Sequence, residues 1–385
     1  EENKMQDKTV LMIPGPTPVP ETVLTEMSKH PIGHRSSEFS AILKDVYEDL
    51  KYIFRTKNDV FIYTASGTGA MEAAIANMVN IGDKVLCCVM GNFGARWANI
   101  AKMRGADVEK LEVELGEVIK PELLRERLAK DTNKEIKIVT LTHSETSTGA
   151  KNDIKELCKI IREHGAVSVV DGVTSVCAME VETDEWGIDV LVSGSQKGFM
   201  IPPGLSFLTA SERAWKLHEQ CKYPSFYFDW SVHKKSVHDD TTPWTPAVNL
   251  IVGLHAALKM IKKEGLENVW ARHKKIALTL RSAIRALNLE LFVKDDENAS
   301  YAITSILPPE GITVPDIRSC FKKDFDIVVA NGQKSLKDKI FRMGTLGYVC
   351  ERDLLTAVAS LEAVLTKLGY DFEKGAGIKA VLERL

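Results

Sequence analysis

This chain lacks the marks of several protein classes. Its seven cysteines are scattered from Cys87 to Cys350 with no C-x-x-C pair. That excludes a disulfide frame or zinc-finger spacing and points to reduced thiols. Excess charge is missing too. Fifty basic side chains against 53 acidic ones leave −3, so neither nucleic acid nor a membrane surface is an expected partner. No apolar run approaches the about 18 residues that span a bilayer. Nor does a signal-peptide pattern open the chain, since Glu1-Glu2-Asn3-Lys4 precedes no adequate apolar stretch. A soluble, cytoplasmic protein is expected. What is present is ordinary: 44% hydrophobic and 27% charged residues over 385 positions, enough for one large domain and a smaller one.

Prolines crowd into Ile13-Pro14-Gly15-Pro16-Thr17-Pro18, which forbids a helix and predicts an irregular N-terminal arm over residues 1–20. Ile42, Val46, Leu50 and Phe54 then mark the apolar stripe of a helix. From residue 60 strands and helices alternate. Apolar runs at 60–63, 85–89, 108–113, 136–141, 167–170 and 189–192 are separated by amphipathic segments such as Ile154/Leu157/Ile161. Continuous apolar strands between helices predict an α/β fold with a mostly parallel sheet covered on both faces. The expected division is a large α/β domain over 21–287 and a small α+β domain over 288–385. Residues 222–247 break the rhythm with a run of aromatics.

In such sheets ligands bind beyond the carboxyl ends of the strands, and those ends carry chemistry here. The first leads into Ala65-Ser66-Gly67-Thr68-Gly69, either an anion site at a helix N-terminus or simple capping by Ser66 or Thr68. A dinucleotide fingerprint fails, because Glu72 holds the third glycine position. The second ends at Phe93, a stacking surface or a core residue. The fourth ends in Thr142-His143-Ser144-Glu145-Thr146-Ser147-Thr148-Gly149, too polar for a mere connector. The fifth ends in Asp171, whose carboxylate needs a cation or donor, or else caps the next segment. The sixth runs into Ser193-Gly194-Ser195-Gln196-Lys197-Gly198, where a poorly solvated lysine would become a nucleophile. An anion cradle, a flat ring, a carboxylate and an amine over one sheet edge match the needs of pyridoxal phosphate.

These residues, with the Pro14-Gly15-Pro16-Thr17 arm and Phe341-Arg342-Met343-Gly344, resemble the class V pyridoxal-phosphate aminotransferases of fold type I. Among them the chain is most similar to the alanine–glyoxylate, serine–glyoxylate and serine–pyruvate group. The resemblance implies a seven-stranded, mostly parallel sheet, a homodimer with shared active sites, and a role for each residue. Lys197 would hold the cofactor covalently and Asp171 would pair with its ring nitrogen. Val173 and Phe93 would cover the two ring faces. Ser66, Gly67, Thr68 and Gln196 would hold the phosphate, and Thr146 would lie near the ring hydroxyl. Arg342 would clamp the substrate carboxylate, and Gly15 would line the pocket. Thr245 would reach the phosphate from the partner subunit, although Thr242 stands where relatives often have tyrosine. His34-Arg35 either adds a cation to the pocket or faces solvent.

The implied activity is transfer of an amino group from alanine, serine or aspartate to glyoxylate or pyruvate in two half-reactions. Two rivals stand against it. A cysteine desulfurase on the same fold needs a mobile nucleophilic cysteine, for which Cys320 is the candidate. A non-catalytic homologue has no reason to keep Asp171, Lys197 and Arg342 together.

Overall fold

A computed structural model describes residues 9–385. Residues 1–8, which include the start of the expected arm and the Glu1–Lys4 segment, lie outside the described residues. In chain order the strands are β1 (Val10–Met12), β2 (Val60–Tyr63), β3 (Lys84–Val89), β4 (Asp107–Glu112), β5 (Ile136–Thr142), β6 (Ser144–Glu145), β7 (Ala150–Lys151), β8 (Val167–Asp171), β9 (Val190–Gly194), β10 (Ser206–Ala210), β11 (Ile303–Ile306), β12 (Ile327–Asn331) and β13 (Phe341–Gly344).

Seven strands form the main sheet in the order β2-β10-β9-β8-β5-β3-β4. Six run in one direction, and β10 alone is antiparallel to both its neighbours. The mostly parallel seven-stranded sheet expected above is present. Its antiparallel member, β10, has no counterpart among the strands read from the sequence. An antiparallel neighbour needs no helical crossover, so β10 follows β9 without the helix that marks most earlier crossovers of the sheet. Every residue of β2, β8, β9 and β10 is buried, as required of strands covered on both faces. One apolar core runs from Val23 to Val269 around this sheet.

A second, four-stranded sheet has the order β1-β12-β13-β11 and its own core, from Met12 and Ile276 to Val381. Here the irregular arm needs correction. Val10-Leu11-Met12 pairs in parallel with Ile327-Val328-Val329 as an edge strand. The prolines that forbid regular structure begin only at Pro14, and the open edge of β12 supplies backbone partners to the residues before them. The helix Leu266–Ala286 serves both cores, placing Val269 in the first and Ile276, Leu280 and Ile284 in the second. Because β2, β3, β5, β8 and β9 are parallel, the turns at their carboxyl ends share one edge of the main sheet. The hairpin β6–β7 stands over that edge at the end of β5.

Candidate active site

The lysine loop and the arm hold one another. After β9 the turn is fixed by Ser195, whose hydroxyl donates to the carbonyl of Pro202 at 2.8 Å. Lys197 Nζ donates to the carbonyl oxygen of Pro14. In return Thr17 Oγ1 donates to the carbonyl of Lys197 at 3.0 Å, and Thr17 N donates to that of Gln196 at 3.2 Å. Gly15 has φ +126°, and a Cβ built there would lie 2.6 Å from Lys197 Nζ. A side chain at Gly15 would displace the amine, so glycine is required twice over. Burial pushes the Lys197 amine down from 10.5 to about 8; Asp171 opposes, while Arg342 and Arg96 push the same way. An amine so placed is a competent nucleophile and proton carrier near neutral pH.

Asp171 closes β8 and is buried, with its Oδ1 accepting from Val173 N at 2.8 Å. Among the described residues no hydrogen bond reaches its second oxygen. Burial raises its pKa from 3.8 to about 6, with the Val173 amide opposing. Such a carboxylate is underpartnered and favours a nearby cation.

The expected anion site lies where the helix Gly67–Met78 begins. Ser66 occupies its N-cap position, but its hydroxyl makes no capping bond, so the capping alternative fails for Ser66. Among the described residues no acceptor serves the amides of Gly67 and Thr68. Backbones and side chains crowd together here. A Cβ on Gly67 would lie 2.8 Å from Val173 Cγ2, and one on Gly194 would lie 3.4 Å from Gln196 Oε1 and 3.5 Å from Gly67 N. Gln196 Oε1 is itself buried without a partner. Gly67 therefore lies against Val173 on one side and close to Gly194 on the other.

Arg342, on β13, reaches the same edge from the second sheet. It is buried, donating from Nε to the carbonyl of Asn331 at 2.8 Å and from Nη1 to the carbonyl of Thr146 at 2.5 Å. Burial lowers its pKa from 12.5 to about 10, and Glu145 opposes. A Cβ on Gly344 would lie only 2.1 Å from the carbonyl oxygen of Ile13, so this glycine lets the arm lie flush on β13 beside Arg342.

Other expected residues stand elsewhere. Thr245 is exposed and bonds to none of the residues above. Thr242 is buried and donates its hydroxyl to the carbonyl of Trp244 at 2.8 Å. Arg35 is exposed, and its Nη1 donates to Thr241 Oγ1 and to the carbonyl of Thr242, both at 2.6 Å. Cys320 lies in the helix Val314–Phe325, half-buried against the second core, where a mobile nucleophile has no freedom. The ring of His143 packs on Trp186 at 6.0 Å. It borders a cleft of about 640 Å³ lined also by Lys151, Trp270 and Tyr301, which holds none of the residues expected to bind a cofactor.

Two residues of the site had no role assigned from the sequence. Glu145 is fully buried and accepts from Phe93 N at 2.9 Å, Gly94 N at 3.1 Å, Ser147 N at 3.1 Å and Ser147 Oγ at 2.5 Å. It thus plugs the N-terminus of the helix Asn92–Met103 and sets the backbone that carries Phe93. Gly91 is shaped by it, since a Cβ there would lie 2.5 Å from the Glu145 carboxyl carbon. Arg96 donates from Nη1 to Thr68 Oγ1 at 2.8 Å and stacks its guanidinium 4.5 Å from the centre of the Phe93 ring. The three-residue spacing of Phe93 and Arg96 on a helix is the signal that would have paired them.

With this geometry established, the chain can be set beside known proteins. The family model for class V aminotransferases matches residues 9–352. An Anabaena cylindrica protein named soluble hydrogenase 42 kDa subunit is 48% identical over 98% of both chains. The L-aspartate–glyoxylate aminotransferase of Paracoccus denitrificans is 36% identical over 98% of this chain and 96% of its own. The crystal structure of ureidoglycine–glyoxylate aminotransferase from Bacillus subtilis superposes with a TM-score of 0.93 at 31% identity, covering 99% of each chain. The hydrogenase name carries no chemistry over, because the family match and the fold are those of aminotransferases. By fold, by family model and by its relatives, this chain belongs to the class V aminotransferases.

Proposed function

We propose that this aminotransferase uses pyridoxal phosphate to move an amino group from alanine, serine or aspartate to glyoxylate or pyruvate. The single observation that carries the reading is the half-buried Lys197 amine after β9, beside the neighbouring strand β8 that ends in the half-satisfied carboxylate of Asp171. The residues present fit the cofactor. Gly67, Thr68 and Ser66 would take the phosphate at the uncapped helix start, and Gln196 would donate to it from its side-chain NH2. Asp171 would take the ring nitrogen, Val173 and Phe93 the two ring faces, and Thr146 the side near the ring hydroxyl. Bound there, the cofactor would supply a carbonyl carbon for covalent attachment and a protonated ring that withdraws electrons.

The rest of the mechanism belongs to the chain. Arg342 binds the substrate carboxylate with the donors left to its guanidinium, fixing the orientation of the Cα–H bond. Lys197 Nζ takes that proton and returns it, and an amine near 8 can do both at neutral pH. The Pro14–Gly15 backbone walls the pocket and favours small side chains. A second copy of the chain would bring Thr245 to the phosphate, which within one chain it does not reach. The cytoplasm is the proposed setting, consistent with seven free cysteines.

Protein supplied with pyridoxal phosphate should absorb near the visible edge, and K197A should lose that band. Colourless wild-type protein that takes up none would sink the cofactor assignment. A panel of alanine, serine and aspartate against glyoxylate and pyruvate should then find one preferred pair. Coloured protein that turns over none of them would overturn the substrate assignment alone. A fully active monomer in sedimentation would overturn the role of Thr245.

A further inference from the structure

We infer that Arg96 is a cation of the phosphate site, an inference that rests on the cofactor reading above. Arg96 is the fifth residue of the helix Asn92–Met103, on the turn that follows Phe93. Among the described residues no carboxylate stands within ion-pair distance of it. Its one hydrogen-bond acceptor is Thr68 Oγ1, at 2.8 Å. Thr68 is the second residue of the helix Gly67–Met78, whose own start is uncapped. An unpaired guanidinium thus sits beside an open helix N-terminus, two positive features that repel one another unless an anion joins them.

The geometry leaves the guanidinium ready for that anion. Thr68 uses Nη1, while Nε and Nη2 have no acceptor among the described residues, so a planar pair of donors is free for a phosphate. The Phe93 ring, 4.5 Å beneath, holds the plane of the fork. Arg96 is also close enough to act on the charges of both Lys197 and Asp171. Its bond to Thr68 Oγ1 holds it at the start of the helix Gly67–Met78, on the same sheet edge.

The test compares pyridoxal phosphate with pyridoxal, which lacks only the phosphate. Cofactor-free protein is titrated with each aldehyde, and binding is followed by absorbance and by quenching of tryptophan fluorescence. Wild-type protein should prefer the phosphorylated form. R96Q should bind it about tenfold to a hundredfold more weakly, as expected for a lost charge-assisted pair, with little change for pyridoxal. R96K, which keeps the charge but not the fork, should fall between the two and serves if R96Q does not fold. Inorganic phosphate should raise the melting temperature of cofactor-free wild-type protein more than that of R96K. Undiminished discrimination in R96Q or R96K overturns the inference, as does an equal loss for both aldehydes, which would mean that Arg96 acts only by steadying Phe93. A folded wild-type protein that binds neither aldehyde overturns the cofactor reading as well.

Discussion

Two corners of the same sheet edge are made of the same parts and finished differently. At one corner the helix Asn92–Met103 begins and Glu145 is buried; at the other the helix Gly67–Met78 begins and Asp171 is buried. Glu145 accepts hydrogen bonds from two first-turn amides and twice from Ser147, and Ser147 Oγ accepts from the amide of Asn92 at 3.0 Å. The carboxylate and the helix start there are met from within the chain. Asp171 has the Val173 amide alone, and the helix beside it starts without a cap. A buried carboxylate and a helix start both cost free energy when left unpaired. The closed corner demonstrates that this fold can satisfy such groups internally. The deficit of the open corner therefore has a specific shape: it calls for an anion at one end and a cation at the other.

The largest effect should come from Asp171→Asn, which removes the demand for that cation. Turnover should fall on the order of a hundredfold or more, as when one partner of a buried charged pair is neutralised. The cofactor-free protein should respond with the opposite sign. In the unfolded chain the carboxyl ionises near 3.8, whereas in the folded chain it keeps its proton to about 6. The folded state therefore binds more protons across this window, and stability falls as pH rises through it. D171N should abolish that slope and raise the melting temperature at pH 8, by no more than about 3 kcal/mol equivalent. Thermal melts of both proteins from pH 4 to 8 check it; parallel curves would break the contrast between the corners.

Gly67→Val fills the open corner instead. Its Cβ would lie 2.8 Å from Val173 Cγ2, so either Val173 or the helix start must move. Overpacking of this kind should weaken pyridoxal phosphate binding on the order of tenfold to a hundredfold. Equilibrium titration measures it, and unaltered affinity would mean that the phosphate lies elsewhere.

Much of this was legible in the sequence, for definite reasons. β2, β3, β5, β8 and β9 are apolar runs, most of them separated by helices, so their order and the groups at their ends could be read together. Lys197, Asp171 and Gly67 were legible because each breaks an apolar run where the strand stops. β10 was hidden because a neighbouring antiparallel strand needs no helix. β1 was hidden because its partner, β12, lies over 300 residues further along the chain. The link between Arg342 and Thr146 is likewise nonlocal. Glu145 was visible within a polar motif, but that its oxygens point at Phe93 and Gly94 depends on how β5 and β3 lie side by side. Arg96 reads from sequence as one more charge on an amphipathic helix, and only the missing carboxylate partner marks it out. Among the described residues Thr245 has no hydrogen-bond partner.

Glu145→Gln tests the closed corner. One amide oxygen can replace either Oε2, which serves Phe93 and Gly94, or Oε1, which serves Ser147. The other pair of donors is then left buried and unmet, at a cost on the order of 2 kcal/mol. The cofactor-free protein should melt lower, whereas D171N should melt higher at pH 8. Opposite signs from two buried carboxylates at one edge are the sharpest form of the comparison. An unchanged melt for E145Q would show that the plug is dispensable.

The smallest effects separate a hydroxyl that caps a helix from one left free for a ligand. Ser36 is an N-cap whose hydroxyl accepts from Phe39 N at 3.2 Å, whereas Ser66 occupies the same position on its own helix and accepts nothing. Ser36→Ala should therefore cost about 1 kcal/mol of stability and leave cofactor affinity alone. Ser66→Ala should change stability by less than about 0.5 kcal/mol, because no capping bond is lost. Its cost should appear only in binding, as about threefold to tenfold weaker affinity for pyridoxal phosphate with none for pyridoxal. Denaturant melts and aldehyde titrations on the two variants read both quantities. If S66A loses stability as S36A does, its hydroxyl is an ordinary cap and the helix start at Gly67 is not open after all.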